Sequence, residues 1–392
     1  MPAALSLPEA ITERVRRVVG TEKVALHEPS FKGNEWAYVK DCIDTGWVSS
    51  VGSYVDRFEH DLAEFVGAKH AVVVSNGTSG LQVALQLVGA GRGDEVIVPA
   101  LSFVATANAV THCGAQPHFA DVDATTLGLS VPALAEHLAS IVERRGGVSV
   151  NRLTGRRVAA IVPMHTFGHP VDMPALMDLA GTYDVPVVED AAESLGSLIE
   201  GRHTGTFGRC AMLSFNGNKI VTTGGGGAII TDDPQLARRA KHLTTTAKQP
   251  HRWAFIHDEV AYNFRMPNLN AALGCAQLEQ LPGFLKAKRE LAHRYASAFV
   301  DLPHAVLFTE RPGTHANYWL QTLILDASVA DQRDAVLACT NDAGVMTRPV
   351  WELLTRLPMY RDCPSMEVPV AQDLASRIVN LPSSPQLVRG AA

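Results

Sequence analysis

Lys219 closes the stretch Ser214-Phe-Asn-Gly-Asn-Lys219, and three other features keep it company. Asp190 ends the apolar run Val185-Pro-Val-Val-Glu-Asp190, and Ser214 stands five residues before the lysine. An Asn76-Gly-Thr-Ser-Gly80 turn follows a further apolar run. A lysine amine can form an imine with an aldehyde, and a carboxylate can pair with a protonated pyridine nitrogen. A turn of backbone amides and hydroxyls can hold a phosphate. Binding of pyridoxal phosphate asks for these three capacities together.

Each residue has its own logic. An imine-forming amine reacts unprotonated, which favours a sheltered position at a strand end over the open surface. Lys219 follows an apolar stretch, and Thr222-Thr-Gly-Gly-Gly-Gly227 behind it is backbone nearly without side chains, suited to close packing around a planar ring. Asp190 is expected at the C-terminal edge of a buried parallel strand, where open α/β sheets take their ligands. A carboxylate there keeps a pyridine nitrogen protonated; the competing reading is a capping Asp ahead of a helix begun by Ala191 and Ala192. Gly77 and Thr78, at a strand-to-helix turn, offer amides and a hydroxyl to a phosphate, as does Ser214. Phe103, just beyond the strand end at Pro99, is either a cover for one ring face or a core residue.

The elements that position these residues alternate along the chain. Helical spacing over 55–66 gives way to short apolar strands at 71–74, 95–98, 158–163, 186–190, 212–215 and 228–231. Helices are expected from near Thr78, from near Thr106 and over 173–183. Short apolar strands separated by helices indicate buried parallel strands in an α/β sheet. Beyond about residue 265 the texture changes: a long helix over 269–302, a strand near 318–325, a helix near 331–343 and a Pro-rich tail. The expected division is a large α/β domain over 1–265 and a smaller C-terminal α+β domain over 266–392. The segment 131–158 carries Arg144, Arg145, Arg152, Arg156 and Arg157, and reads as a solvated surface excursion or as an anion-binding flap. Gly89-Ala-Gly-Arg-Gly93 precedes a strand, so it is a helix-ending turn and not a dinucleotide fingerprint.

Bulk properties narrow the class. The 392 residues, 46% hydrophobic and 19% charged, exceed one ordinary domain and suffice for a large core. A net charge of -6 disfavours nucleic acid or an anionic membrane as the main partner. No apolar run reaches the roughly 18 residues of a membrane span, and the N-terminus lacks the basic-then-apolar pattern of a secretory signal. The six cysteines are scattered without a CxxC pair, which reads as reduced thiols and no metal site. A cytoplasmic enzyme is expected.

With these residues in view, the chain resembles the DegT/DnrJ/EryC1/StrS sugar aminotransferases, fold-type I enzymes that depend on pyridoxal phosphate. The resemblance spans nearly the whole sequence. It runs through Gly46-Trp-Val-Ser-Ser-Val-Gly52, Asn76-Gly-Thr78, Asp94-Glu-Val-Ile-Val-Pro99 and Glu189-Asp-Ala-Ala-Glu-Ser-Leu-Gly196. It continues through the Ser214-to-Lys219 motif with its glycine run, Tyr262-Asn-Phe-Arg-Met266 and Ala271-Ala-Leu-Gly-Cys-Ala-Gln-Leu278. Within the family the chain is similar to the legionaminic-acid-pathway type of 4-aminotransferase. Gly33-Asn-Glu-Trp-Ala-Tyr-Val-Lys40 and Thr347-Arg-Pro-Val-Trp351 carry that likeness.

The resemblance implies roles for individual residues. Lys219 is the covalent lysine, Asp190 the partner of the pyridine nitrogen, and Gly77, Thr78 and Ser214 the phosphate ligands. Phe103 stacks on the ring, and Glu193 occupies a position near the ring 3-hydroxyl where Gln or His is usual. Asn263 reaches the phosphate of the neighbouring subunit, which implies a homodimer with shared sites. The implied reactants are L-glutamate, leaving as 2-oxoglutarate, and a nucleotide-linked 4-keto-6-deoxy-2-acetamido hexose. Arg348 is a carboxylate or diphosphate partner or a surface ion pair, and His165 and Tyr318 lie near strand ends without a fixed role. A 3-dehydratase of the same family typically carries His in place of Lys219. A non-catalytic cofactor-binding protein is disfavoured by the Lys219 and Asp190 pair, and zinc or nicotinamide spacings are absent.

Overall fold

Parallel strands Gln116–Ala120, Glu95–Pro99 and Val158–Ile161 form one half of the central sheet. The computed structural model describes residues 5–388. Parallel bridges Ile161–Val187 and Met164–Asp190 join this half to Val188–Asp190, Cys210–Ser214, Gly227–Thr231 and His70–Val74, in that order. The strands are short and apolar because both faces are covered. In His70–Val74, Val72 and Val74 enter the cluster of helices Gly77–Leu87 and Val104–His112 on one face. Ala71 and Val73 enter the opposite cluster, with Phe58 and Leu62 of helix Ser53–Val66. Each fully buried aliphatic side chain contributes roughly 1.5–3 kcal/mol, so alternate positions fix which residue faces which layer.

Gly227–Thr231 departs from the parallel expectation and runs antiparallel to both neighbours. The segment 215–226 before it contains no helix, and a parallel return requires a crossover long enough to traverse the sheet. That short return keeps Lys219 at the sheet edge. The glycine run allows backbone contact there: a Cβ on Gly227 would lie 2.9 Å from the Asn76 carbonyl carbon.

Helix Asn268–Phe299 spans two cores. Ala271, Cys275 and Leu281 pack under the central sheet, while Leu291, Tyr295 and Phe299 pack against a second, antiparallel sheet. That sheet orders Ala305–Leu307, Gln321–Leu325, Ile378–Leu381 and Arg348–Pro349. Its last long strand and helix Pro369–Arg377 lie within the tail that reads as merely Pro-rich in sequence. N-terminal helix Leu7–Val19 buries Ile11 and Val15 in this second core, beside Val336 of helix Arg333–Asp342. We propose a domain division near residue 265, with this N-terminal helix attached to the smaller unit.

The arginine-rich segment forms a hairpin, Val142–Arg145 with Val148–Asn151. Arg157 pairs with Asp94 at 2.7 Å, beside the N-terminal end of Glu95–Pro99, and Arg144 donates to the Tyr183 carbonyl at 2.9 Å. These bonds tie the arginine-rich segment to the sheet end opposite the one occupied by Asp190. The described cysteines are all free, and no helix among the described residues is long and apolar enough to cross a membrane.

Candidate active site

Lys219, Asp190, Glu193, Ser214, Thr78, Gly77 and Phe103 line one cleft of about 330 Å³. It opens at the C-terminal strand ends, within the roughly 300–1,000 Å³ range of small-molecule sites. After Ser214 the chain leaves the sheet, and the Lys219 amide donates to the Asn216 carbonyl at 2.9 Å. The Lys219 Nζ lies 3.2 Å from Glu193 Oε1 and 3.8 Å from the centre of the Trp319 ring. Trp319 is held firmly in that position. Its Nε1 donates to the Asn218 carbonyl at 2.8 Å and its amide to Asn317 Oδ1 at 2.7 Å. Its carbonyl accepts from the wholly buried amine of Lys288 at 3.1 Å.

Asp190 ends its strand with a carboxylate only 3% exposed. Thr106 Oγ1 donates to Oδ2 at 2.7 Å, and the Ala192 amide donates to Oδ1 at 3.2 Å. Burial pushes this carboxyl above its ordinary range, while those two donors and the Lys219 charge pull against it. The capping reading is met only as a local turn, since the chain after Ala192 does not enter a helix. No cation lies in salt-bridge contact with Asp190 among the described residues, so the carboxylate is available to a protonated ring nitrogen.

Glu193 is a second buried carboxyl. The Phe167 amide donates to Oε2 at 2.8 Å, and Oε1 faces Lys219. Burial raises it to about 7, against the opposing pull of Lys219 and of the Phe167 amide. The two carboxyls of the cleft therefore differ in their contacts. Asp190 is open to a ring nitrogen, whereas Glu193 touches the amine itself.

One end of the cleft is made by the N-terminus of helix Gly77–Leu87. Asn76 caps it, Oδ1 accepting from the Ser79 amide at 2.8 Å. The hydroxyls of Thr78 and Ser214 face the same cleft, and neither has a partner among the described residues. A Cβ on Gly77 would approach Ser214 Oγ to 3.2 Å and Met212 Sδ to 3.0 Å, so only glycine leaves this end open. Free donors at a helix N-terminus suit a dianion. Phe103, the N-cap residue of helix Val104–His112, is half-exposed, with its ring 6.0 Å from that of Trp351.

Other candidates fall elsewhere. Asn263 is exposed, forms a bridge with Thr245, and does not enter the cleft of its own chain. His165 is buried as a structural group: the Val171 amide donates to Nδ1 at 3.2 Å, which leaves Nε2–H to donate to Glu189 at 3.1 Å. Glu189 also accepts from the amides of Gly205, Phe207 and Gly208. Tyr318 packs its ring edge-on to His169 at 5.2 Å, away from Lys219. Its neighbour Trp319 lines the cleft instead, with its ring against the Lys219 amine. Thr106 and Trp351 likewise escape sequence reasoning, because nothing local to either reports its distant partner. Arg348 forms no ion pair among the described residues and donates to Asn341 Oδ1 and the Thr347 carbonyl.

Pyridoxal phosphate fits this donor set at each end: a lysine amine, a strand-end carboxylate for the ring nitrogen, and open donors for the phosphate. Fold and site together define a fold-type I aminotransferase dependent on that cofactor. The chain belongs to the DegT/DnrJ/EryC1/StrS aminotransferase family, whose sequence model matches residues 29–392. It is 37% identical over 365 residues to a GDP-perosamine synthase of Vibrio cholerae, covering 93% of this chain and 95% of that one. A GDP-perosamine synthase of Escherichia coli O157:H7 is 36% identical, covering 93% and 94%. Among solved structures, the aminotransferase TlmJ of Streptoalloteichus hindustanus superposes with a TM-score of 0.84 at 30% identity, covering 94% of this chain and 96% of its own.

Proposed function

We propose that this sugar aminotransferase moves an amino group from L-glutamate to C4 of a nucleotide-linked 4-keto-6-deoxyhexose. The observation that carries the reading is the Lys219 amine set between Glu193 and the Trp319 ring, in one cleft with Asp190. Bound pyridoxal phosphate supplies an electron sink and stores the amino group between two half-reactions.

The chain's residues do the rest. Lys219 holds the cofactor and then carries a proton to and from the reacting carbon. Glu193 Oε1 gives the amine proton a nearby acceptor, and the Trp319 face limits where the amine can swing. Asp190 would hold the ring nitrogen in its protonated form, with Thr106 keeping the carboxylate ionised. Gly77, Thr78 and Ser214 would bind the phosphate, and Phe103 would cover the ring.

Relatives named GDP-perosamine synthases support delivery to C4. The acceptor panel spans 4-keto sugars on GDP, UDP and dTDP, with and without a 2-acetamido group. A 3-dehydratase is disfavoured by the presence of Lys219. A homodimer in which Asn263 reaches the neighbour's phosphate is in keeping with exposed Trp36, Trp47, Trp253 and Phe255.

The test has two parts. Borohydride treatment of the cofactor-loaded protein should fix pyridoxal phosphate on the peptide containing Lys219, and Lys219→Ala should abolish this. Incubation with glutamate and the 4-keto sugar panel should release 2-oxoglutarate. No release with any acceptor would sink the reading.

A further inference from the structure

A second cleft, of about 580 Å³, shares Asn218, Trp319 and Trp351 with the lysine cleft. Two polar side chains in it have unmet capacity. Arg348, on the exposed strand Arg348–Pro349, uses only one guanidinium nitrogen internally. Its Nη1 donates to Asn341 Oδ1 at 3.1 Å and to the Thr347 carbonyl at 2.9 Å. Nε and Nη2, the edge that grips a carboxylate or phosphate through two parallel bonds, have no partner among the described residues. Glu352 also lines this cleft, but pairs with Arg356 at 3.3 Å.

His27 is the other. Both of its ring nitrogens are buried and neither makes a hydrogen bond of full geometry, with the Asn218 backbone nearby as a weak contact. Its placement is fixed from both sides. The Ser383 amide donates to the Leu26 carbonyl at 2.7 Å, and the Glu28 amide to Ser384 Oγ at 2.8 Å. Burial, with the positive charges of Lys288 and Lys219, holds the imidazole neutral, so it keeps one donor and one acceptor. Buried polar groups are ordinarily paired, and an imidazole short of partners lining the same cleft as an open guanidinium edge points to a ligand.

We propose that Arg348 and His27 form an oxyanion subsite for a reactant seated against the shared wall of Trp319 and Trp351. The subsite rests on the aminotransferase reading for which reactants visit it. Two of them carry suitable oxyanions: the donor through a carboxylate, and the acceptor through its diphosphate. Both arrive in turn at the same lysine.

Binding is read first, by calorimetry on the cofactor-loaded protein with 2-oxoglutarate and with GDP as separate probes. Arg348→Gln, on an exposed side chain, should weaken one or both roughly ten- to a hundred-fold, as expected for loss of a charge-assisted pair. Arg348→Lys should retain part of the affinity, and His27→Leu should weaken the same probe by less. Loss for 2-oxoglutarate alone assigns the donor carboxylate, loss for GDP alone the diphosphate, and loss for both a subsite used alternately. Each half-reaction is then followed separately, with KM rising for the same reactant and kcat little changed. Equal affinities for both probes in wild type and Arg348→Gln would overturn the subsite even where turnover is normal, as would a kcat loss at unchanged KM. Arg348-dependent binding without turnover on any acceptor would instead count against the aminotransferase reading alone.

Discussion

Replacing Thr106 by Val isolates the support beneath the ring-nitrogen carboxylate. The substitution keeps the side-chain shape and removes one hydroxyl, which donates to Asp190 Oδ2 at 2.7 Å and contacts Ser102 Oγ at 2.8 Å. Among the described residues, Asp190 then retains only the Ala192 amide at 3.2 Å. A hydrogen bond to a buried charge is worth roughly 1.5–3 kcal/mol, so the Kd for pyridoxal phosphate should rise about 10- to 100-fold. The deficit should also depend on pH. Burial already raises Asp190, and losing Thr106 raises it further, so the ionised fraction falls first on the acid side. Cofactor titrations of the apoprotein, followed by visible absorbance, should therefore show a larger penalty near pH 6 than near pH 8.5. Thr106→Ser, which restores the donor, should recover most of the affinity. Wild-type affinity in Thr106→Val at both pH values, or an equal loss in Thr106→Ser, would refute this account of Asp190.

Two other substitutions probe the walls of the cleft. Glu193 is raised from the ordinary 4.5 to about 7 by burial, so its favourable contribution is full below 4.5 and disappears as pH rises through 7. At about 1.4 kcal/mol per tenfold this comes to about 3 kcal/mol, and Glu193→Gln should flatten the loss of apoprotein stability between pH 5 and pH 8. Parallel melting curves for variant and wild type over that range would contradict the assignment. Gly168 has φ +93°, and a Cβ there would lie 1.8 Å from Asn317 Oδ1, the acceptor that fixes the Trp319 amide. Gly168→Ala should cost about 1–2 kcal/mol from the backbone alone, lower the melting temperature and shift Trp319 fluorescence; an unaltered spectrum and melt would exclude that coupling.

Sequence by itself determined the fold class, the family and the cofactor, because each rests on local patterns. Short apolar runs bounded by turn residues mark buried strands. Lys219, Asp190, Ser214 and Thr78 each stand at the end of such a run, where one end of an open sheet collects its ligands. The tertiary structure decided what lies between these signals. The antiparallel course of Gly227–Thr231 follows from a helix-free return. The placement of Trp319 rather than Tyr318 against Lys219 follows from which of two adjacent aromatics the Asn317 and Lys288 bonds hold toward the lysine. Thr106 stands 84 residues from Asp190, and only the packed sheet makes them partners. His165, promising by position, is consumed by Glu189, and Arg348, ambiguous by position, is left with an open edge. Local sequence records the propensities of single elements, whereas the partner of a buried polar group is chosen by long-range packing.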